Sequence, residues 1–542
     1  MSAATAAADA SAPSRGGLLA LAAVVAGGLA LRCLFLGDKA LWLDEAYSVW
    51  SSQQSWHDLW SEVPRYETHP PLYYSLLKLW RIFGSGEGTL RALSALASGV
   101  TVALVALAAA IAAPAPQRRA AATAAAVLFA VSPLQLALAQ EARPYALLML
   151  GMALALAGAA WLVTHPAQAA QALWRRHSRS WPVTSAYGAL GLGSATLLWM
   201  HNLGIVYAAA LAVALAAWCA AQPGRATLFA NLTLAALLSA ALYSPNLPTL
   251  LLQVTVVARD FWLQAPSAPE LVVLLFQIYG QWQQLFGEQQ QQIAVQMLLA
   301  VPLAILGLCA LRQFCERPGD RRWTAWLLLC AAFAPLLLML AVTYGLRPVL
   351  MNRTLAAAQV PWAVICAFAP CVVERRWRPL VWGLIGAIAL LNVAGFIASQ
   401  ATDERRDAER PWRAITASIS ASSAPDTPIF VVPNSSALVL DYYRTRLEVE
   451  LAIHPLPARY PARDDNYRYP SGARGEAAVD ERVLPDLDAR SENVRSVWLI
   501  TRLEDLFDPT QIVRRALSAR FPCAATTVFG PISVTRFDRT CP

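Results

Sequence analysis

Asp44 and Glu45 stand side by side in Trp42-Leu43-Asp44-Glu45-Ala46-Tyr47, just past the first long apolar stretch of the chain. Adjacent carboxylates at the end of a membrane helix are costly near lipid, and ionisable groups at membrane depth are functional-site candidates by default. The chemistry they suit is proton removal from an acceptor hydroxyl, where a lipid-borne substrate can arrive from the bilayer. The alternative is a solvated interfacial turn with Trp42 and Tyr47 as belt residues. Two neighbours on an extended or turning backbone point differently, so they are not expected to share one proton. Asp44 is the candidate base, with Glu45 as its neighbour or second ligand.

Other polar residues at the ends of apolar blocks extend the set. Glu141 and Arg143 share one short turn. Arg143 is a candidate phosphate clamp, because guanidinium pairs bidentately with phosphate oxygens; its alternative is a salt bridge to Glu141. Arg259, Arg347 and Arg353 compete for the clamp role. His69, before Pro70-Pro71, and His201, at a tight turn, could orient an acceptor. A lone His is more often a hydrogen-bonded structural residue. Glu141 and His69 are candidate ligands for a divalent metal, without the HxxxH or HExxH spacing that marks a strong site. No other cofactor is implied. Tyr73, Tyr74 and Tyr145 are sugar platforms or, more commonly, belt and packing residues.

The elements that must carry these residues are mostly membrane helices. The chain is 57% hydrophobic and 14% charged, where soluble domains carry about 25% charge. The apolar residues lie in blocks of about 20, the length of a membrane span. They fall near 17–36, 89–113, 120–139, 144–163, 183–200, 204–221, 226–250, 291–311, 323–344, 354–373 and 379–398. This pattern predicts a polytopic α-helical membrane protein of about 11 spans, preceded by a disordered stretch over 1–16. The formal charge of +8 says little about nucleic acid, because the basic residues sit in short loops.

Those loops predict topology. Arg118 and Arg119, Arg175 and Arg176, Arg225, Arg312 to Arg322, and Arg375 to Arg378 follow the even-numbered blocks. The positive-inside rule makes these loops cytoplasmic. An odd span count then places residues 399–542 outside. Every candidate residue above falls on that same outer side. The first outer loop, 37–88, is too long for a connector. It reads as an amphipathic helix over 46–60 and a second interfacial or re-entrant helix over 70–83, started by Pro70-Pro71.

Residues 399–542 read as a small extracytoplasmic α/β domain. Strands are expected at Pro428–Val432 and Val497–Ile500, helices at Ser435–Arg444 and Thr510–Ala519, and a hairpin around Gly530-Pro531. Cys523 and Cys541 stand apart from the other cysteines and are expected to pair if this domain faces an oxidising compartment. No CxxC pair suggests structural zinc.

Four stretches together resemble the GT-C superfamily of polyprenyl-phosphate-sugar glycosyltransferases: Leu41–Tyr47 (LWLDEAY), Thr68–Tyr74 (THPPLYY), Gly84–Ser94 (GSGEGTLRALS) and Gln140–Leu147 (QEARPYAL). The likeness is greatest over 30–150 and nearest to the protein mannosyltransferase and lipid A aminoarabinose transferase group. It implies an inverting sugar transfer from a polyprenyl-phosphate donor to a glycan, lipid or protein acceptor, at the outer face of a cell (inner) membrane. It places the catalytic base on Asp44 and a second acid on Glu141. The family's late Arg-Tyr pair is only half kept, as Arg353-Thr354. A transporter or flippase of lipid-linked sugars is the competing class, but such proteins favour midplane sites and repeats, and neither is visible. An oligosaccharide polymerase or ligase is compatible with the same residues.

Overall fold

Lipid offers backbone N–H and C=O groups no partner, so each apolar block must satisfy its own by coiling into a helix. The computed structural model describes residues 15–67, 69–175, 180–256, 263–280, 289–316, 321–400, 410–464, 466–471 and 475–541. The first part of the chain forms α1 (Arg15–Cys33), α2 (Leu43–Gln53), α3 (Trp56–Ser61), α4 (Leu72–Trp80), α5 (Glu87–Ala112), α6 (Arg118–Ala130), α7 (Pro133–Ala139) and α8 (Tyr145–Thr164). Each apolar block is helical, but among the described residues seven helices are long and apolar enough to cross a membrane, or eight if a bent pair counts as one span.

That bent pair is the block expected as one helix over 120–139. It turns by 61° between α6 and α7. Pro133 has no N–H for the carbonyl of Phe129, one turn earlier. Arg32 of α1, fully buried, supplies the missing donors: Nη2 to Phe129 O at 3.3 Å and Nη1 to Ala130 O at 3.0 Å, with Nε on Ser98 Oγ at 2.7 Å. The break aims α7 at the site described below. A second departure is the apolar helix Ala268–Tyr279, inside a segment expected to be a loop. At 1.5 Å per residue it spans about 18 Å, too short to cross the bilayer. Its Ser267-to-Glu270 capping box was a legible start signal.

The helices α8 and Asn352–Val372 are the most enclosed of the apolar set, while others keep most of their surface outward. α8 packs closely on Trp181–Met200 through small residues. A Cβ at Gly193 would meet Ala155 N at 2.5 Å, and one at Gly158 would meet Ala186 O at 2.4 Å. Glycine at these crossings lets the two backbones touch.

The C-terminal part holds one sheet of β1 (Pro428–Val432), β2 (Ala452–Pro455), β3 (Ser496–Arg502), β4 (Cys523–Phe529) and β5 (Ile532–Asp538), in the order β2-β1-β3-β5-β4. β1 runs parallel to β2 and β3, and β5 is antiparallel to both β3 and β4. The β4–β5 hairpin turns at Gly530 (φ +55°). A disulfide joins Cys523 to Cys541 across a Cα separation of 5.2 Å. This domain grips the first loop: Leu41 N donates to Tyr443 Oη at 2.6 Å, and Arg413 Nη2 reaches Glu87 Oε1 at 2.6 Å and Gly37 O at 3.3 Å.

Candidate active site

α2 begins three residues earlier than the amphipathic helix expected over 46–60, so Asp44 and Glu45 lie in its first turn, where carboxylates suit the helix dipole. Successive helical residues point about 100° apart, which separates the two acids. Glu45 points inward and is fully buried. Its Oε1 accepts from Arg91 Nε at 2.7 Å and Ala142 N at 2.9 Å; its Oε2 accepts from Arg91 Nη2 at 2.7 Å and Arg410 Nη1 at 3.1 Å. Burial pushes its carboxyl up, but Arg91 and Arg410 outweigh that and hold it below the ordinary value. Arg91 also donates to the carbonyls of Leu36, Lys39 and Ala40. Glu45 therefore ties the loop before α2, the helix α5 and the turn 140–144 together. Its oxygens are occupied by arginines and a backbone amide, and Glu45 is not in the lining of the cavity described next.

Asp44 points to the other side and is 30% exposed. Its Oδ2 accepts from Arg353 Nη1 at 3.0 Å. The Arg353 guanidinium lies 5.4 Å from the Trp42 ring centre and 5.7 Å from that of Tyr145, within cation–π range of both. Trp42, Arg353 and Glu141 line a cavity of about 320 Å³ with Leu134, Ala137, Leu138, Gln277, Met351 and Asn352. Thus the bend before α7 gives the cavity an apolar wall, and Glu141 of the following turn with Arg353 of the 352–372 helix gives it a charged end.

The turn between α7 and α8 carries Glu141 and Arg143 in opposite directions. Glu141 Oε1 meets Arg410 Nη2 at 3.2 Å. Burial, opposed by Arg410 and reinforced by Glu45, raises its pKa above the ordinary carboxylate value. Arg143 does not pair with Glu141. It is nearly buried, with Nη1 3.8 Å from Glu67 Oε2 and 3.3 Å from the Asp44 carbonyl, and Nη2 3.4 Å from His69 Nδ1. It braces the start of α2 from beneath, away from the cavity lining.

His69 is also buried. Its Nδ1 lies 2.7 Å from Glu67 Oε1, and its ring stands 4.8 Å from the ring of His201. Burial lowers the His69 pKa, against Glu67 and with Arg143; burial, His69 and Arg143 hold His201 well below 6.5. His201 Nδ1 accepts from Leu203 N at 3.0 Å, an ordinary structural use. Tyr145 belongs to the site by its contact with Arg353. Tyr73 does not line the cavity: its hydroxyl faces Ser94 Oγ at 3.4 Å, and its neighbour Tyr74 is the one that meets Arg143. Arg347 lies in the loop before the 352–372 helix, outside the cavity lining. Arg259 lies outside the described residues.

The two candidate metal ligands have different partners. Glu141 faces Arg410 while His69 faces Glu67, and among the described residues no three His, Cys, Asp or Glu side chains converge on one point. Four participants escaped the sequence reading: Glu67, Arg91, Arg410 and the Trp42 ring as an arginine platform. Glu67 sits two residues before His69 and Arg91 lies within GTLRALS, so both had a local signal. Arg410 had none; it follows a charged run and is 365 residues from Glu45.

Apo ArnT from Cupriavidus metallidurans superposes with a TM-score of 0.62 at 13% identity, covering 96% of this chain and 98% of that one. The same protein bound to undecaprenyl phosphate gives 0.60 over the same shares. This chain has a GT-C fold. The apo oligosaccharyltransferase of Archaeoglobus fulgidus shares it more distantly, with a TM-score of 0.50 at 13% identity over 90% of this chain and 70% of that one. No family model matches the sequence. No curated protein matches it either. At this identity the GT-C likeness is one of architecture, and the roles of the side chains rest on their geometry.

Proposed function

We propose that this chain is a membrane glycosyltransferase that moves a sugar from a polyprenyl phosphate to an acceptor hydroxyl, with inversion at the anomeric carbon. The observation that carries this reading is the meeting of Asp44 and Arg353, 3.0 Å apart, where Arg353 borders a cavity with one apolar wall of Leu134, Ala137 and Leu138. An apolar wall suits a prenyl chain, and an arginine at its end suits a phosphate. In the reaction the acceptor oxygen attacks the anomeric carbon and its proton passes to the Asp44 carboxylate. The bond from that carbon to the phosphate oxygen breaks, and its electron pair leaves on the phosphate. A phosphodiester monoanion becomes a monoester dianion, so negative charge grows where a guanidinium such as Arg353 stabilises it. Glu45 and Arg143 hold the start of α2, and Tyr145 and Trp42 hold Arg353.

The same reading places about 11 spans in the membrane, with the basic loops on the cytoplasmic side and the C-terminal domain outside, above the site. Its multi-pass character, with seven or eight long apolar helices among the described residues, supports a membrane location. The test is release of polyprenyl phosphate from radiolabelled polyprenyl-phosphate sugars by the purified chain in lipid nanodiscs. Asp44→Asn should keep fold and yield while lowering turnover by about 10²-fold or more, the scale of a general base. Near-wild-type turnover in this variant would sink the assignment.

A further inference from the structure

Arg353 opens the 352–372 helix and Arg410 follows the last apolar helix, Arg378–Ser399, yet both rest on one indole. Their guanidiniums lie 5.4 Å and 5.6 Å from the Trp42 ring centre. Each is held by a carboxylate of the site: Arg353 by Asp44 at 3.0 Å and Arg410 by Glu141 at 3.2 Å. Asp44, Glu45, Glu67 and Glu141 thus balance Arg91, Arg143, Arg353 and Arg410. Two of these contacts differ from the rest. Glu45 keeps Arg91 when Arg410 leaves it, and Arg143 keeps its backbone and His69 contacts. Asp44–Arg353 and Glu141–Arg410 are the pairs bordering the cavity, through Arg353 and Glu141.

We propose that Arg410 is a donor-phosphate residue supplied by the C-terminal domain, and that Asp44–Arg353 and Glu141–Arg410 are resting pairs exchanged when a lipid phosphate binds. The inference rests on the glycosyltransferase reading above. A phosphate at the charged end takes the guanidiniums of Arg353 and Arg410, both already aligned on Trp42. Asp44 and Glu141 are released toward the cavity by the same exchange. No covalent bond changes in this step, and the phosphate replaces the carboxylates as the anion facing each arginine. The candidate base is therefore masked until the donor is seated. The order donor first, acceptor second follows from charge.

The exchange predicts effects of opposite sign for the two members of one pair. The probe is farnesyl phosphate, with farnesol as the uncharged control, titrated into the full-length purified chain. Arg410→Gln should weaken farnesyl phosphate binding by about tenfold or more, the scale of a lost charged hydrogen bond, and leave farnesol unchanged. Glu141→Gln should tighten farnesyl phosphate, because the competing anion is gone and Arg410 is free to meet phosphate. Arg410→Lys should recover part of the loss. Glu141→Gln that weakens phosphate binding, or leaves it unchanged, overturns the exchange even if Arg410→Gln fails to fold. Wild-type protein that binds both probes equally would overturn the polyprenyl-phosphate reading as well. Preference for the phosphate in wild type with no effect of either variant would overturn this inference alone.

Discussion

Replacing Glu45 by alanine removes the anion that Arg91 faces inside the protein. Arg91 is 1% exposed and Glu45 is 0%, so water cannot substitute. Breaking a buried pair by deleting one partner costs about 3–5 kcal/mol. Glu45→Gln retains one oxygen and the shape, and loses the charge on the bonds to Arg91; about 1.5–3 kcal/mol is expected. Arg91→Ala should cost more than either, because Arg91 also holds the carbonyls of Leu36, Lys39 and Ala40 at 3.0, 2.7 and 2.9 Å. The ranking is measured by unfolding of the purified protein in detergent, followed by intrinsic fluorescence. The decisive quantity is the cycle with Glu45→Met, Arg91→Met and the double variant. The double should be markedly less damaged than the two singles summed, since neither buried charge is then left alone. Additivity within about 0.5 kcal/mol would refute the claim that these residues act as one unit.

The disulfide closes a loop with a separation of 18 residues, worth about 3 kcal/mol in the chain-entropy model. Cys523→Ser should lower the thermal stability of the C-terminal domain and leave donor binding intact, and a combined loss of both would contradict the separation of roles. His69 and His201 have pKa values held below 6.5. Between their folded values and 6.5 the unfolded chain binds more protons, so stability falls as pH drops through that window. His201→Asn should flatten the fall, measured as the change in unfolding temperature between pH 7.5 and 5.5; an unchanged slope would show that the imidazole is not neutral and buried. A thiol reagent that cannot cross the membrane should label Cys523 after reduction from the outer side, and protection there would invert the proposed topology.

What the residues made legible follows periodicity and local chemistry. The apolar blocks became helices, and the strands at β1 and β3 and the Gly530-Pro531 hairpin appear where turn residues and buried runs placed them. The single helix expected over 120–139 bends at Ser132-Pro133, where a proline brings no N–H to the carbonyl of Phe129. The sequence shows the proline but not that Arg32, about a hundred residues earlier, would answer it. The fate of Glu45 was illegible for a similar reason. Its difference from Asp44 is a rotation about α2, and α2 starts three residues earlier than the helix expected over 46–60. Tyr73 and Tyr74 were separated in the same way, one helical position apart.

The placement of Arg410 sets an order on biosynthesis. Its partners Glu45 and Glu141 emerge from the ribosome more than 250 residues sooner. The final apolar helix, Arg378–Ser399, is also complete before it. A chain that stops after that helix has its membrane part but holds Glu141 without the arginine that faces it here. The cavity of such a chain keeps Glu141 and Arg353 in its lining but lacks the second guanidinium. Formation of the apolar helices and completion of the charged cluster around Trp42 are thus separate events. The second waits for translation to pass residue 410 and for the domain beyond it to fold.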